Sequence, residues 1–375
     1  MEAGQVIIKK EKEAKSYLLA KGGGIVKFIK DIYYAARLPF FFLAFLDTMI
    51  GWMAAAVLVE GFELDALFRS IQSTYHLIRG GAPSVLFFFQ PLRSEFFKGI
   101  FAAISNGFCF TTILMFNDYC DYESDVKGKK RDTLLTRGGI TKSEQLAGVL
   151  TLMAACLAIS IFLVRSPIFL LLTLVALLGG WSYSARSPPE REVPPRAKER
   201  PGFDIVFNGL FSGGLPLMGA ILVSDKISQL PYLLFVACGL MGMWFFSIGS
   251  VMDIEDDRKE KLNTIAVRLG FKKSIILNMV LCFGLITPWG VMAYFNYLLT
   301  LKSFLYLVLP AFLIGSLVFY IGFFKHVVNL KTQRVNPDPA HYRKTYKYTF
   351  AGHLIQILPL SLCLIDYLII DFLPL

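Results

Sequence analysis

Long runs of apolar residues alternate along the chain with shorter polar stretches. A helix needs about 20 apolar residues to cross the roughly 30 Å hydrocarbon core of a bilayer. The segments that meet this requirement are Leu38–Val59, Phe97–Phe116, Leu146–Val164, Ile168–Ser184, Ile205–Val223, Pro231–Val251, Ile275–Leu298, Phe304–Phe324 and Phe350–Leu373. The pattern therefore predicts an all-α integral membrane protein with nine transmembrane helices.

Composition agrees with a membrane protein rather than a soluble one. Hydrophobic residues make up 55% of the 375 residues and charged residues 18%, against about 25% charged in soluble domains. A soluble core cannot bury this excess, because single cores stop growing at about 250–300 residues. We interpret residues 1–375 as one polytopic domain, with a basic cytoplasmic segment at 1–37 and a long non-cytoplasmic connection at 60–96.

The basic residues predict how the spans are oriented. Of the 38 lysines and arginines, all but seven fall in the N-terminal tail and in the connections after the second, fourth, sixth and eighth spans. Loops rich in Lys and Arg remain on the cytoplasmic side. The N-terminus and these connections are therefore predicted to be cytoplasmic, and the net charge of +10 is attributed to them rather than to nucleic-acid binding.

Two acidic clusters follow the second and the sixth predicted spans. In the first, Asn117, Asp121 and Asp125 are spaced i, i+4, i+8; in the second, Asp253 and Asp257 repeat the i, i+4 spacing. On a helix, each set forms a single stripe of oxygen atoms. Both clusters continue a membrane helix at the same cytoplasmic level, so the two stripes are expected to face each other across a cavity.

Facing carboxylates repel an anion unless a metal ion lies between them. Mg²⁺ prefers oxygen ligands and commonly bridges a few carboxylates to substrate phosphates, and Mn²⁺ suits the same donors. Arg137 and Arg258, in the same two connections, are expected to complete a site for a diphosphate. Solvated loop charges would explain one such cluster; two copies in equivalent loops favour a functional site.

At these residues the sequence resembles the UbiA superfamily of intramembrane prenyltransferases. The paired signatures are Asn117-Asp118-x-x-Asp121-x-x-x-Asp125 and Asp253-x-x-x-Asp257. Further similar segments are Ala36-Arg37-Leu38-Pro39, Trp181-Ser182-Tyr183-Ser184-Ala185-Arg186, Arg200-Pro201-Gly202-x-Asp204 with Asn208-Gly209, and Thr264 with Gly270 after Asp257-Arg258. Any one of these segments alone would be weak, but together they are highly specific and cover most of the chain.

The resemblance implies a nine-helix bundle around a central cavity that opens to lipid and holds a polyprenyl diphosphate. It implies that metal on the two motifs ionises this donor, and that the allylic cation alkylates a lipophilic acceptor. The implied metal-binding residues are Asn117, Asp121, Asp125, Asp253 and Asp257. Asp118, Asp121 and Asp257 are counted as catalytic. Asp118 is expected either to ligate the metal or to orient a basic residue. Arg37, Tyr183 and Arg186 are expected to contact the diphosphate.

Several alternatives remain open at the level of sequence. The acceptor is a lipid, a carotenoid, a macrocycle or an aromatic quinone precursor. Asn208, four residues into the fifth span, either lines the cavity or bonds a neighbouring helix. A cation-coupled transporter is the alternative from another class, although its carboxylates would be expected near the bilayer midplane. The third alternative is a noncatalytic assembly protein of the same superfamily, and the intact aspartate motifs argue against it.

Overall fold

A computed structural model describes residues 38–58, 95–128, 138–185, 196–223, 229–259 and 262–278, with a few isolated residues elsewhere. These ranges form helices and contain no strands. The helices are α1 (Leu38–Leu58), α2 (Glu95–Gly128), α3 (Lys142–Ile159), α4 (Pro167–Ser184), α5 (Phe203–Ala220), α6 (Gln229–Lys259) and α7 (residues 265–278). A π-helical turn, Ser160–Val164, extends α3, and a 3₁₀ turn, Ala197–Glu199, precedes α5.

The first six predicted spans each correspond to one of these helices. α2 continues past its span to Gly128 and α6 continues to Lys259, so each acidic motif lies on an uninterrupted helix. α7 overlaps the start of the seventh span. Apart from a few isolated residues, the eighth and ninth spans lie outside the described residues, as do the segment 1–37 and most of the connection 60–96. The nine-helix count therefore stays a prediction.

Two glycines allow α1 and α5 to pack with their backbones in contact. A Cβ atom on Gly219 would lie 2.1 Å from the carbonyl oxygen of Thr48, and one on Gly51 would lie 1.9 Å from that of Pro216. Distances this short are below any van der Waals contact, so only glycine fits at either position. α5 in turn packs along α6, which places α1, α2, α5 and α6 around a shared interior.

α3 and α4 form a tight hairpin at the edge of this bundle. Thr141 and Glu144 make a capping box at the start of α3, and Ser166 with Pro167 begins α4. Only 22% of the apolar stretch of α3 and 28% of that of α4 is buried, against 67% for α2 and 61% for α6. These four helices are long and apolar enough to cross a membrane, and the exposed apolar faces of α3 and α4 are what lipid contact requires.

Candidate active site

A cavity runs through the interior between α1, α2, α4, α5 and α6. One stripe of α6 lines it from Cys238 to Asp257, about 28 Å at a rise of 1.5 Å per residue. Aromatic and aliphatic side chains form its walls: Phe40, Leu43, Phe110, Ile113, Leu114, Phe207, Phe211, Met241, Phe245 and Phe246. The cavity therefore combines an apolar body with a polar end.

That polar end contains both acidic motifs. Asn117, Asp121 and Asp125 line it from α2, and Asp253 and Asp257 line it from α6. The i, i+4, i+8 spacing places the α2 residues on one helical face, and the same spacing orders the α6 residues. The structure thus brings together all five residues that the sequence assigned to metal binding.

Two basic residues from the connection before α5 lie against the α2 stripe. The Lys198 ammonium donates to both carboxylate oxygens of Asp121, at 2.6 Å each, and to Oδ1 of Asn117 at 3.2 Å. Arg196 Nη1 donates to Oδ1 of Asp121 at 3.0 Å, and its Nε donates to Glu199. Asp121 is therefore held by two cations.

Arg196 is buried, with 4% of its side chain exposed. Burial lowers the pKa of this guanidinium, but the carboxylates of Asp121 and Glu199 outweigh that effect and raise the pKa above its ordinary value. Arg196 consequently remains charged at every physiological pH. It is a fixed positive charge at the wall of the acidic end.

A hydroxyl group from the start of α7 orients Asp257. Thr264 Oγ1 donates to Asp257 Oδ2 at 3.2 Å, and the same hydroxyl accepts the backbone N–H of Val267 at 3.4 Å as the helix begins. Asp204, at the start of α5, accepts the backbone N–H of Ile265 at 3.3 Å. The acidic end of α6 is thus tied to α5 and α7 at one corner of the cavity.

Tyr183 and Asn208 form the side wall above the aromatic lining. Asn208 Nδ2 donates to the Tyr183 hydroxyl at 3.3 Å and to the Asp204 carbonyl at 2.7 Å. The Tyr183 ring stacks on Phe207, with ring centroids 5.0 Å apart. The sequence left two roles open for Asn208, lining the cavity or bonding a neighbouring helix. In the structure Asn208 lines the cavity and also bonds α4.

Other predicted site residues are placed differently. Asp118 is buried but is not among the residues that line the cavity. It follows Asn117 on α2, and one step along a helix rotates the side-chain direction by about 100°, away from the face that lines the cavity. Arg258 is half-exposed, pairs with Glu255 at 3.3 Å and is not among the residues that line the cavity. The predicted diphosphate contacts Arg37, Arg137 and Arg186 lie outside the described residues.

Sequence reasoning missed Arg196 and Lys198, which supply the cationic contacts within the described part of the cavity. It also missed Asp47, a buried carboxylate on α1 that lines the opposite end of the cavity beside Cys238. The sequence did contain a signal for Asp47, since it lies inside the first predicted span and an ionisable residue within a membrane span is functional by default. Arg196 and Lys198 had none beyond their location in a basic connection.

The chemistry of the acidic end fits a hard divalent cation. Among the described residues that line this end, five carry a carboxylate and two are basic. Every residue of the two motifs offers oxygen, and a lysine ammonium already lies where Asn117 and Asp121 converge. No cluster of three or more His, Cys, Asp or Glu within the described residues could hold an ion by itself. Mg²⁺ suits this arrangement, because it takes one or two carboxylates and completes its shell with water and phosphate oxygens.

A helical membrane bundle with an acidic, oxygen-rich end on a long apolar cavity has the shape and charge that a lipophilic ligand with an anionic head would fit. The chain belongs to the UbiA prenyltransferase family, whose model matches residues 84–341. It is therefore a membrane-embedded prenyltransferase.

A solved structure with low sequence identity shares the fold of this chain. The apo structure of a UbiA homolog from Aeropyrum pernix K1 is 18% identical, with a TM-score of 0.54, and covers 87% of this chain and 98% of its own. A UbiA homolog from Archaeoglobus fulgidus bound to DMAPP and Mg²⁺ is 16% identical, with a TM-score of 0.48, and covers 85% of this chain and 98% of its own. The comparison with curated proteins found no match.

Proposed function

We propose that this protein transfers a polyprenyl group from a polyprenyl diphosphate to a lipophilic acceptor within the membrane, with Mg²⁺ as cofactor. The observation that carries the proposal is that both aspartate motifs line one end of a single cavity whose body is aromatic and aliphatic. The acidic end suits the diphosphate with its metal, and the apolar body suits the isoprenoid chain. Family membership supports the same reaction.

The residues divide into three roles in this proposal. Asn117, Asp121, Asp125, Asp253 and Asp257 would hold the metal. Bound Mg²⁺ would neutralise the diphosphate and stabilise the charge that develops on it as it leaves. Arg196 and Tyr183 would contact the diphosphate oxygens from the side, and the aromatic wall would exclude water from the allylic carbon.

The bond changes are those of an alkyl transfer. The bond between the allylic carbon and the diphosphate oxygen breaks, and the electron pair leaves with the diphosphate. A new bond forms between that carbon and a carbon or oxygen atom of the acceptor, which loses a proton. Phe207, Phe211 and Phe246 line the path of the chain, and aromatic rings can stabilise a nearby cation.

We also propose that the acidic end opens to the cytoplasm. The connections that carry the motifs belong to the cytoplasmic set by their Lys and Arg content. The acceptor is proposed only as a lipophilic molecule: a lipid, a carotenoid or an aromatic quinone precursor.

The direct test is a transfer assay with purified protein in lipid nanodiscs. Geranyl, farnesyl and geranylgeranyl diphosphates are each supplied with a panel of acceptors of these classes, with and without Mg²⁺. The proposal expects a prenylated product that forms only when Mg²⁺ or Mn²⁺ is present and that disappears after dialysis against EDTA. Full activity after EDTA dialysis would contradict it.

A further inference from the structure

Lys198 occupies the place on the α2 motif where a metal ion is expected. Its ammonium nitrogen lies 2.6 Å from Oδ1 and 2.6 Å from Oδ2 of Asp121, which is a symmetric position between the two oxygens. The same nitrogen lies 3.2 Å from Oδ1 of Asn117. Three oxygens from two residues assigned to metal binding thus converge on one cation.

We infer that Lys198 is an exchangeable counter-ion that competes with the metal for Asn117 and Asp121, so that metal binding requires the ammonium to leave. The ammonium fills the position between the two oxygens of Asp121 and Oδ1 of Asn117, so a metal ion cannot bind these three oxygens while Lys198 remains there. The inference rests on the proposed function, since it takes Asp121 as a metal ligand.

The two neighbouring cations differ in their ability to leave. Arg196 is a planar guanidinium that is 4% exposed, and it is held by two carboxylates: Asp121 at Nη1 and Glu199 at Nε. Lys198 is 15% exposed and carries its charge on a flexible stem with three rotatable donors. Displacement therefore falls to Lys198, while Arg196 keeps its place beside Asp121.

The released ammonium has one chemically suited destination within the cavity. The other carboxylates of the described lining at this end are not available to it, because Asp125, Asp253 and Asp257 are assigned to the metal and Glu199 is paired with Arg196. A diphosphate that enters with the metal is therefore the remaining anion that the ammonium can meet. Metal alone must displace Lys198 without compensation, whereas metal together with a diphosphate gives the ammonium a new partner. Lys198 therefore makes the binding of metal and of donor cooperative and disfavours a metal-loaded site that lacks a donor.

The test measures metal binding and lysine exposure on the full-length protein in nanodiscs, with Mn²⁺ as the probe and no diphosphate present. Lys198→Met is expected to tighten Mn²⁺ binding about tenfold, within the usual range for coupling between two sites. Lys142→Met is the matched control. Lys142 pairs at 3.6 Å with Glu123, which lies outside the cavity lining, so its loss should leave Mn²⁺ affinity unchanged.

A second readout uses the unmodified protein and needs no variant to fold. Acetylation of lysines by a water-soluble reagent is quantified by mass spectrometry before and after Mn²⁺ addition. Lys198 is expected to become more reactive when Mn²⁺ binds, while the reactivity of Lys142 stays constant. Unchanged Lys198 reactivity with Mn²⁺ bound, or an equal gain in affinity in Lys142→Met, would overturn the inference.

The same titration on Asp121→Asn separates this inference from the proposed function. If Asp121→Asn loses Mn²⁺ affinity but Lys198→Met does not gain it, the metal site stands and the counter-ion role is wrong. If Asp121→Asn binds Mn²⁺ as well as the unmodified protein does, the proposed metal site itself is wrong, and the counter-ion role fails with it.

Discussion

Asp121 and Glu123 lie two residues apart on α2 and have opposite surroundings. Asp121 is buried at the acidic end of the cavity, whereas the Glu123 side chain is 60% exposed and pairs with Lys142. Two residues along a helix correspond to a rotation of about 200°, which turns one carboxylate inward and the other outward. This contrast gives a matched pair of substitutions on the same helix.

Asp121→Asn and Asp257→Asn are each expected to lower kcat by at least about 100-fold, the size of effect seen when one group that stabilises developing charge is removed. The amide keeps the shape of the side chain, so insertion and folding should be retained. Steady-state kinetics checks this, with Glu123→Gln as a control of near-normal rate. Near-normal kcat in either aspartate variant would contradict that residue's assignment.

Tyr183 allows its ring and its hydroxyl to be tested separately. Tyr183→Phe keeps the stacking on Phe207 and removes only the hydroxyl that accepts the Asn208 hydrogen bond. If that hydroxyl also contacts the diphosphate, the KM for the donor should rise roughly tenfold, as expected for a lost hydrogen bond to a charged group. An unchanged KM together with lower thermal stability would make Tyr183 a wall residue only.

The helices that carry the site follow largely from the sequence. The spacing of Asn117, Asp121 and Asp125 only forms a stripe on a helix, and α2 does continue through all three residues. The position of Lys198 did not follow, because a loop residue is placed by tertiary packing and not by periodicity. Asp118 illustrates a second limit: a motif match says nothing about which residue of the motif faces the cavity.

At the scale of elements, the contact between α1 and α5 holds the aromatic walls of the cavity in place. Gly219→Ala is expected to destabilise the protein by about 1–3 kcal/mol, because its Cβ would meet the Thr48 carbonyl at 2.1 Å and force the helices apart. Gly214→Ala, on the same helix, is the control. A Cβ added at Gly214 would have no atom within 4 Å. Because alanine has a higher helix propensity than glycine, the stability of this variant should be equal to or slightly higher than that of the unmodified protein.

Thermal unfolding of the two alanine variants in the same detergent measures this difference. The expected result is a lower Tm for Gly219→Ala and an unchanged or higher Tm for Gly214→Ala. Equal Tm values would show that the close approach of α1 and α5 does not contribute to stability.

At the scale of the whole molecule, the connections rich in Lys and Arg lie next to the acidic motifs of the candidate active site. The two acidic motifs line one end of the cavity, and the connections next to them carry the excess of Lys and Arg. A cytoplasmic opening would give the diphosphate head a route from water while the isoprenoid chain enters from lipid. The orientation of the chain is therefore a functional prediction as well as a topological one.

The two ends of α3 provide positions for testing that orientation. Ser143 is exposed at the beginning of α3, and Arg165 is exposed just after the π-helical turn that ends it. Each is replaced by cysteine in a background whose six cysteines are changed to alanine. Sealed vesicles of the host membrane, prepared with either the cytoplasmic or the opposite face outward, are treated with a membrane-impermeant maleimide. Because Lys and Arg retain loops in the cytoplasm, Ser143→Cys should react only where the cytoplasmic face is outward and Arg165→Cys only where the opposite face is outward. The reverse pattern would contradict the cytoplasmic placement of the acidic motifs, and reaction of both from one side would contradict a membrane-crossing α3.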